Sequence, residues 1–113
     1  HMLDRLQAEG VEPLMVLGAI ARELRGLVTM AQMMQQGSSA TDAMNRARVW
    51  KNRQSIVGRA LQRDRLHFWP VVLARCAYID QVVKGINPGR AWNELLQLSL
   101  AMAGTKPVTN RID

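Results

Sequence analysis

Residues 12–34 read EPLMVLGAIARELRGLVTMAQMM, and their spacing decides the fold. Leu14, Leu17, Ala21, Leu24, Val28 and Ala31 recur at intervals of three and four, the period of one helix face. Val16, Ile20, Leu27, Met30 and Met34 form a second stripe beside the first. An apolar arc that wide suits a helix packed on more than one neighbour. Pro13 fits a first turn, where its missing N–H would be unpaired anyway. The polar run QQGSS at 35–39 closes the element. Arg22, Glu23 and Arg25 break the apolar run in its middle, which disfavours a membrane span.

The same period continues on both sides. Residues 3–9 read as the last turns of a helix begun earlier and stopped at Gly10. His1-Met2 reads as a cloning remnant, so a longer natural chain is expected. Downstream, Thr41-Asp42 can cap a short helix over 43–47. The helical pattern resumes near residue 52 through Ile56, Val57, Ala60 and Leu61. Asp64 can cap a further helix over 65–84, with Leu66, Trp69, Leu73, Cys76 and Val83 facing inward. Pro70 either kinks that helix or marks its start one turn later. The run GINPG at 85–89 is a turn. A last helix carries Trp92, Leu95, Leu96, Leu98, Ser99 and Met102, with Gly104 and Pro107 as its stop and 108–113 as a frayed tail. No alternating strand pattern is sustained. The expectation is one all-α domain, a helical bundle of about five helices whose first is truncated.

At 113 residues and 48% hydrophobic content the chain suits a single globular core. Aromatics are scarce, so that core is built from aliphatic residues and seven Met. Cys76 stands alone, which rules out an intrachain disulfide and fits a reducing cytosol. It reads as a small buried hydrophobe. No phosphate-cradling glycine loop is present, and the nine acids are scattered. His67 is the only histidine besides His1, too few for a zinc site or a catalytic triad. The chain reads as non-catalytic, with no metal and no cofactor.

The net charge of +6 suits an anionic partner such as nucleic acid. It is densest in RARVWKNR, residues 46–53, where Arg46, Arg48, Lys51 and Arg53 surround Trp50 without an acid. Cations contact phosphates without reading sequence, and a ring among them can stack on an unpaired base. Arg59, Arg63 and Arg65 extend the cations along the next helix. The competing reading has Trp50 plugging a junction between short helices, with the arginines merely solvated. Pattern alone favours the plug, because tryptophan is mostly well buried. Trp69 and Trp92 lie on helical stripes and read as core. Phe68 cannot share the face of Trp69, so one of the two is a candidate for the surface. Met30, Met33 and Met34 crowd the end of the long helix. With Phe68 they are candidate subunit-interface residues, although gap-filling in the core is the commoner use of Met.

Four blocks in order carry a resemblance: LQAEGVEPLMVLGAIARELRGL at 6–27, RVWKNR at 48–53, AYIDQVVKG at 77–85 and AWNELLQLSLAMAG at 91–104. Together they resemble the C-terminal domain of delta subunits of bacterial DNA polymerase III clamp loaders. The resemblance implies a collar-type helical domain that holds a pentameric, AAA+-related assembly together through the neighbouring subunits' collars. Clamp binding is then expected of parts N-terminal to this segment, and the location is bacterial cytoplasm at the nucleoid-associated replisome, with no membrane. It also implies that Trp50 stacks on a base of primed or single-stranded template DNA, with Arg48, Lys51 and Arg53 as phosphate contacts; Arg46, just outside the matching block, joins them as a DNA-binding candidate from the basic stretch alone. Some relatives carry a tyrosine in the loop before the last helix; here that loop reads INPG, so a second stacking contact there is in doubt.

Two other readings stay open at this point. A free-standing basic helical nucleic-acid-binding domain would need a recognition helix and a dimer arrangement, and neither stands out. A plain protein-interaction bundle would leave DNA binding indifferent to charge reversal at Arg48 and Arg53.

Overall fold

The computed structural model describes residues 2–63 and 68–103. They form six α-helices: α1 (Met2–Ala8), α2 (Pro13–Gln35), α3 (Ala40–Arg46), α4 (Gln54–Arg63), α5 (Phe68–Val83) and α6 (Ala91–Met102). A 3-10 turn, Lys51–Arg53, precedes α4, and no strand occurs among the described residues. The fold is therefore all-α. The chain gathers into two compact units, residues 22–71 and the segments flanking them, with the boundaries inside α2 and α5.

In the flanking unit, Leu3 of α1, Leu17 of α2 and Leu95 and Leu98 of α6 are buried. So are Val72, Cys76, Ile79 and Val82 of α5. The buried α5 positions are thus 69, 72, 76, 79 and 82, one helical stripe. Leu73 and Val83, expected to face inward, are only half-buried, and Leu66 lies outside the described residues. Trp92 is likewise half-buried rather than core. Arg75 donates to the Glu94 carboxylate at 2.8 Å and lies 4.4 Å over the Tyr78 ring. These contacts tie α5 to the start of α6.

In the unit 22–71 the core comprises Leu24, Leu27, Met30 and Ala31 of α2, Ala43 and Met44 of α3, Val57 and Leu61 of α4, and Trp69. The buried residues of α2 come from both expected stripes: Leu17, Leu24 and Ala31 from the first, Leu27 and Met30 from the second. Leu14, on the far side, is exposed, and Val28 is half-buried. Met30 is only 5% exposed and packs in the core of this unit, whereas Met33 and Met34 are half-buried.

Helix ends explain the remaining differences. Ser39, not Thr41-Asp42, caps α3: its backbone is extended, and its Oγ accepts the Asp42 N–H at 3.0 Å. Asp42 in the first turn then suits the positive end of the helix. Pro70 is the third residue of the described α5; the residues before Phe68 on which the choice between a kink and a late start depends lie outside the described residues. The expected cap Asp64 lies outside the described residues.

Trp69 joins α4 to α5. Its ring is 2% exposed, and its Nε1–H donates to the Ala60 carbonyl at 2.8 Å. The bond ties the last described turn of α4 to the first turn of α5. Phe68 meets Trp69 edge-on at 4.7 Å, and the Arg63 guanidinium sits 5.1 Å from the Phe68 ring centre. Arg63, expected as part of a free cationic face, is instead half-buried against these rings.

Candidate nucleic-acid interface

Charge divides unevenly between the units. Residues 22–71 contain nine Lys and Arg and three acids, while the rest of the chain contains six of each. The whole net charge therefore belongs to one unit, the one that holds Trp50.

Trp50 is 76% exposed. It stands in extended backbone between two turns that fix it from both sides. On the upstream side α3 ends in a Schellman motif. The Arg48 N–H donates to the Asn45 carbonyl at 3.1 Å, and the Val49 N–H donates to the Met44 carbonyl at 2.9 Å. On the downstream side the Arg53 N–H donates to the Trp50 carbonyl at 2.9 Å, closing the 3-10 turn. The Gln54 side-chain amide donates to both Asn45 Oδ1 and the Val49 carbonyl, at 3.0 and 3.1 Å. One side chain at the start of α4 thus pins the loop to α3.

α1, α2 and α5 end in the same two-bond pattern, with Gly10, Gly37 and Gly85 in the left-handed position. At the end of α3 that position holds Arg48, with φ of 60°, the one positive φ outside glycine among the described residues. A side chain in this conformation costs about 1–2 kcal/mol.

A cleft of about 400 Å³ opens between α2 and residues 47–53. Arg22, Glu23, Gly26, Leu27 and Met30 line one side; Ala47, Arg48, Val49, Trp50, Arg53 and Val57 line the other. Arg53 spans it, donating to both Glu23 carboxylate oxygens at 3.0 and 3.3 Å. This fork holds the Arg53 guanidinium above the ordinary arginine pKa, first through the hydrogen bond and then through the charge of Glu23. Arg53 therefore stays charged wherever the protein is folded, and it is already paired. Both partners are about half exposed, so the pair contributes only ~0.2–1 kcal/mol.

Of the five residues singled out in 46–53, the cleft gathers Arg48, Trp50 and Arg53. Lys51 is exposed on the 3-10 turn, outside the lining. Arg46 lies elsewhere on α3, donating to Ser38 Oγ at 3.3 Å and pairing with Asp42 at 3.8 Å. Arg22, Arg48 and Lys51 have no ion pair among the described residues. Sequence reasoning missed Arg22, Gln54 and Glu23. The acid that engages Arg53 stands 30 positions away, and no local pattern marks it.

Among the described residues no group of His, Cys, Asp and Glu could hold a metal ion, and no helix is long and apolar enough to cross a membrane.

Comparison with known proteins places this geometry in a family context. Residues 1–110 match the family described as "Processivity clamp loader gamma complex DNA pol III C-term". A similar curated protein is DNA polymerase III subunit delta of Escherichia coli (strain K12), 38% identical over 64 residues. That match covers 56% of this chain and 18% of the relative's length. No solved structure matches significantly.

Proposed function

The chain belongs to the family of C-terminal domains of the DNA polymerase III clamp-loader delta subunit, and we propose that it serves as a collar whose Trp50 meets the template strand. In this role it is a non-catalytic scaffold. It packs against the corresponding domains of the other loader subunits and holds the pentamer while other parts of the assembly open the sliding clamp and close it on primed DNA. Contact with the clamp itself falls to parts of the subunit N-terminal to this segment.

The observation that carries the template reading is the exposure of Trp50 among unpaired cations. A large ring left in water by its own fold gains by stacking on an unpaired base, roughly 1–3 kcal/mol per base. Arg48 and Lys51 are the phosphate contacts on this reading. Arg53 acts as a positioning residue, because its guanidinium is engaged by Glu23. Subunit contacts are drawn from apolar side chains that the fold leaves in solvent, such as Met15, Ile56, Val71 and Ile86, together with half-buried Met33, Met34 and Phe68. Met30 drops out of that set.

The test is Trp50→Ala in the full subunit assembled with its loader partners. The melting temperature should stay within about a degree or two, because a solvated ring contributes little to the core. Binding to primed single-stranded DNA should weaken by about 1 kcal/mol or more. Unchanged DNA binding would end the template reading, and a large loss of stability would return Trp50 to a structural role.

A further inference from the structure

We propose that the cleft between α2 and residues 47–53 takes one unpaired nucleotide of single-stranded DNA, its base against Trp50 and its phosphate between Arg22 and Arg48. The proposal rests on the template reading of Trp50 and adds to it two α2 residues from outside the basic stretch, Arg22 and Gly26. The volume, about 400 Å³, lies within the range of small-ligand pockets. Buried Leu27, Met30 and Val57 give it an apolar floor suited to the face of a base. Its one acid, Glu23, is neutralised by the Arg53 fork and does not repel a phosphate. The free cations are then Arg22 and Arg48, on opposite sides of the cleft.

Gly26 points the same way. A glycine inside a helix is destabilising relative to alanine. A Cβ built at Gly26 meets nothing within 4 Å, as at Gly18 on the same helix, so packing calls for glycine at neither; of the two only Gly26 lines the cleft. A ligand lying close against the α2 backbone there would call for glycine. Arg48 shows a matching exception on the opposite side, because it holds an unfavourable left-handed backbone where three other helix ends carry glycine. At both positions the residue is the less favourable choice for the fold and the suitable one for an anionic, flat ligand.

The experiment uses the full subunit in the assembled loader. Its probe is a labelled primer–template with a single-stranded template overhang, and its control is the same duplex without the overhang. Arg22→Ala should weaken overhang binding about five- to tenfold and flatten the slope of log affinity against log salt by about 0.7, the value for one phosphate on a single strand. Gly26→Ala should raise the melting temperature yet weaken overhang binding several-fold. Blunt-duplex binding should not change in either variant. If both variants bind the overhang like wild type while Trp50→Ala does not, the cleft proposal fails and the template reading stands. If Trp50→Ala also binds like wild type, the template reading itself fails. Equal weakening on the blunt duplex would reduce Arg22 to a general charge effect and overturn the cleft as a nucleotide site.

Discussion

Arg48 is the residue where fold and proposed function pull apart. Its two Schellman hydrogen bonds are those that Gly10, Gly37 and Gly85 support at other helix ends, but a Cβ makes its left-handed backbone unfavourable by about 1–2 kcal/mol. Replacing it with glycine removes that strain and loosens the unfolded chain, which offsets less than about 1 kcal/mol. Arg48→Gly should therefore gain up to about 1 kcal/mol in urea unfolding while binding primed DNA more weakly. Arg48→Ala serves as the control: it keeps the strain, loses the charge and should show no such gain. A net loss of stability in Arg48→Gly would mean that the arginine side chain packs on its surroundings, and the strain argument would collapse. The sequence shows a cation at this position but not its backbone state. α3 stops close to where the pattern placed its end, but without a glycine there nothing in the amino-acid pattern marks the left-handed backbone of Arg48.

At the scale of elements, helix identity was legible because it depends on period alone. Leu17, Leu24 and Ala31 lie on the expected α2 stripe and are buried. What the period cannot say is which edge of a wide apolar arc meets the core. Met30 therefore looked available to a partner, and Leu14 looked buried. The α4–α5 junction shows a second limit. Trp69 was legible as core, but its Nε1–H bond to Ala60 depends on two helices meeting, and a helical wheel does not contain it. Trp69→Phe keeps most of the ring and removes that hydrogen bond, so it should cost about 0.5–1.5 kcal/mol. Trp69→Ala adds a cavity and should cost about 3–5 kcal/mol. Chemical denaturation of both variants checks the ranking. If they cost the same, the hydrogen bond contributes nothing separable from the packing of the ring.

For the whole molecule, the informative quantity is where the charge lies and how much of it is free. A net charge of +6 read from the sequence suggests a steep salt dependence for any DNA contact. The structure concentrates that charge in residues 22–71 and then engages part of it internally. Arg53 is held by Glu23, Arg46 by Asp42 and Ser38, and Arg63 lies against Phe68 and Trp69. The sequence could not show these engagements, because each depends on a partner brought close by folding or on the path of a helix surface. On the template reading the contact is therefore made by few phosphates: Arg22 and Arg48 within the cleft, and Lys51 beside it. Each phosphate contact on a single strand contributes about 0.7 to the slope of log affinity against log salt. The Arg22→Ala, Arg48→Ala double variant should then flatten the loader's slope on an overhang by about 1.4, and adding Lys51→Ala should bring the difference to about 2. Charge reversal at Arg53 should behave differently, because it sets two acids against each other across the cleft and frees Glu23. Its main effect should be to misplace Trp50, weakening binding at low and high salt alike. A flattening of about 0.7 on Arg53→Ala, the value of one phosphate contact, would mean that Arg53 leaves Glu23 for a phosphate on binding, and the reading of Arg53 as a positioning residue would be wrong.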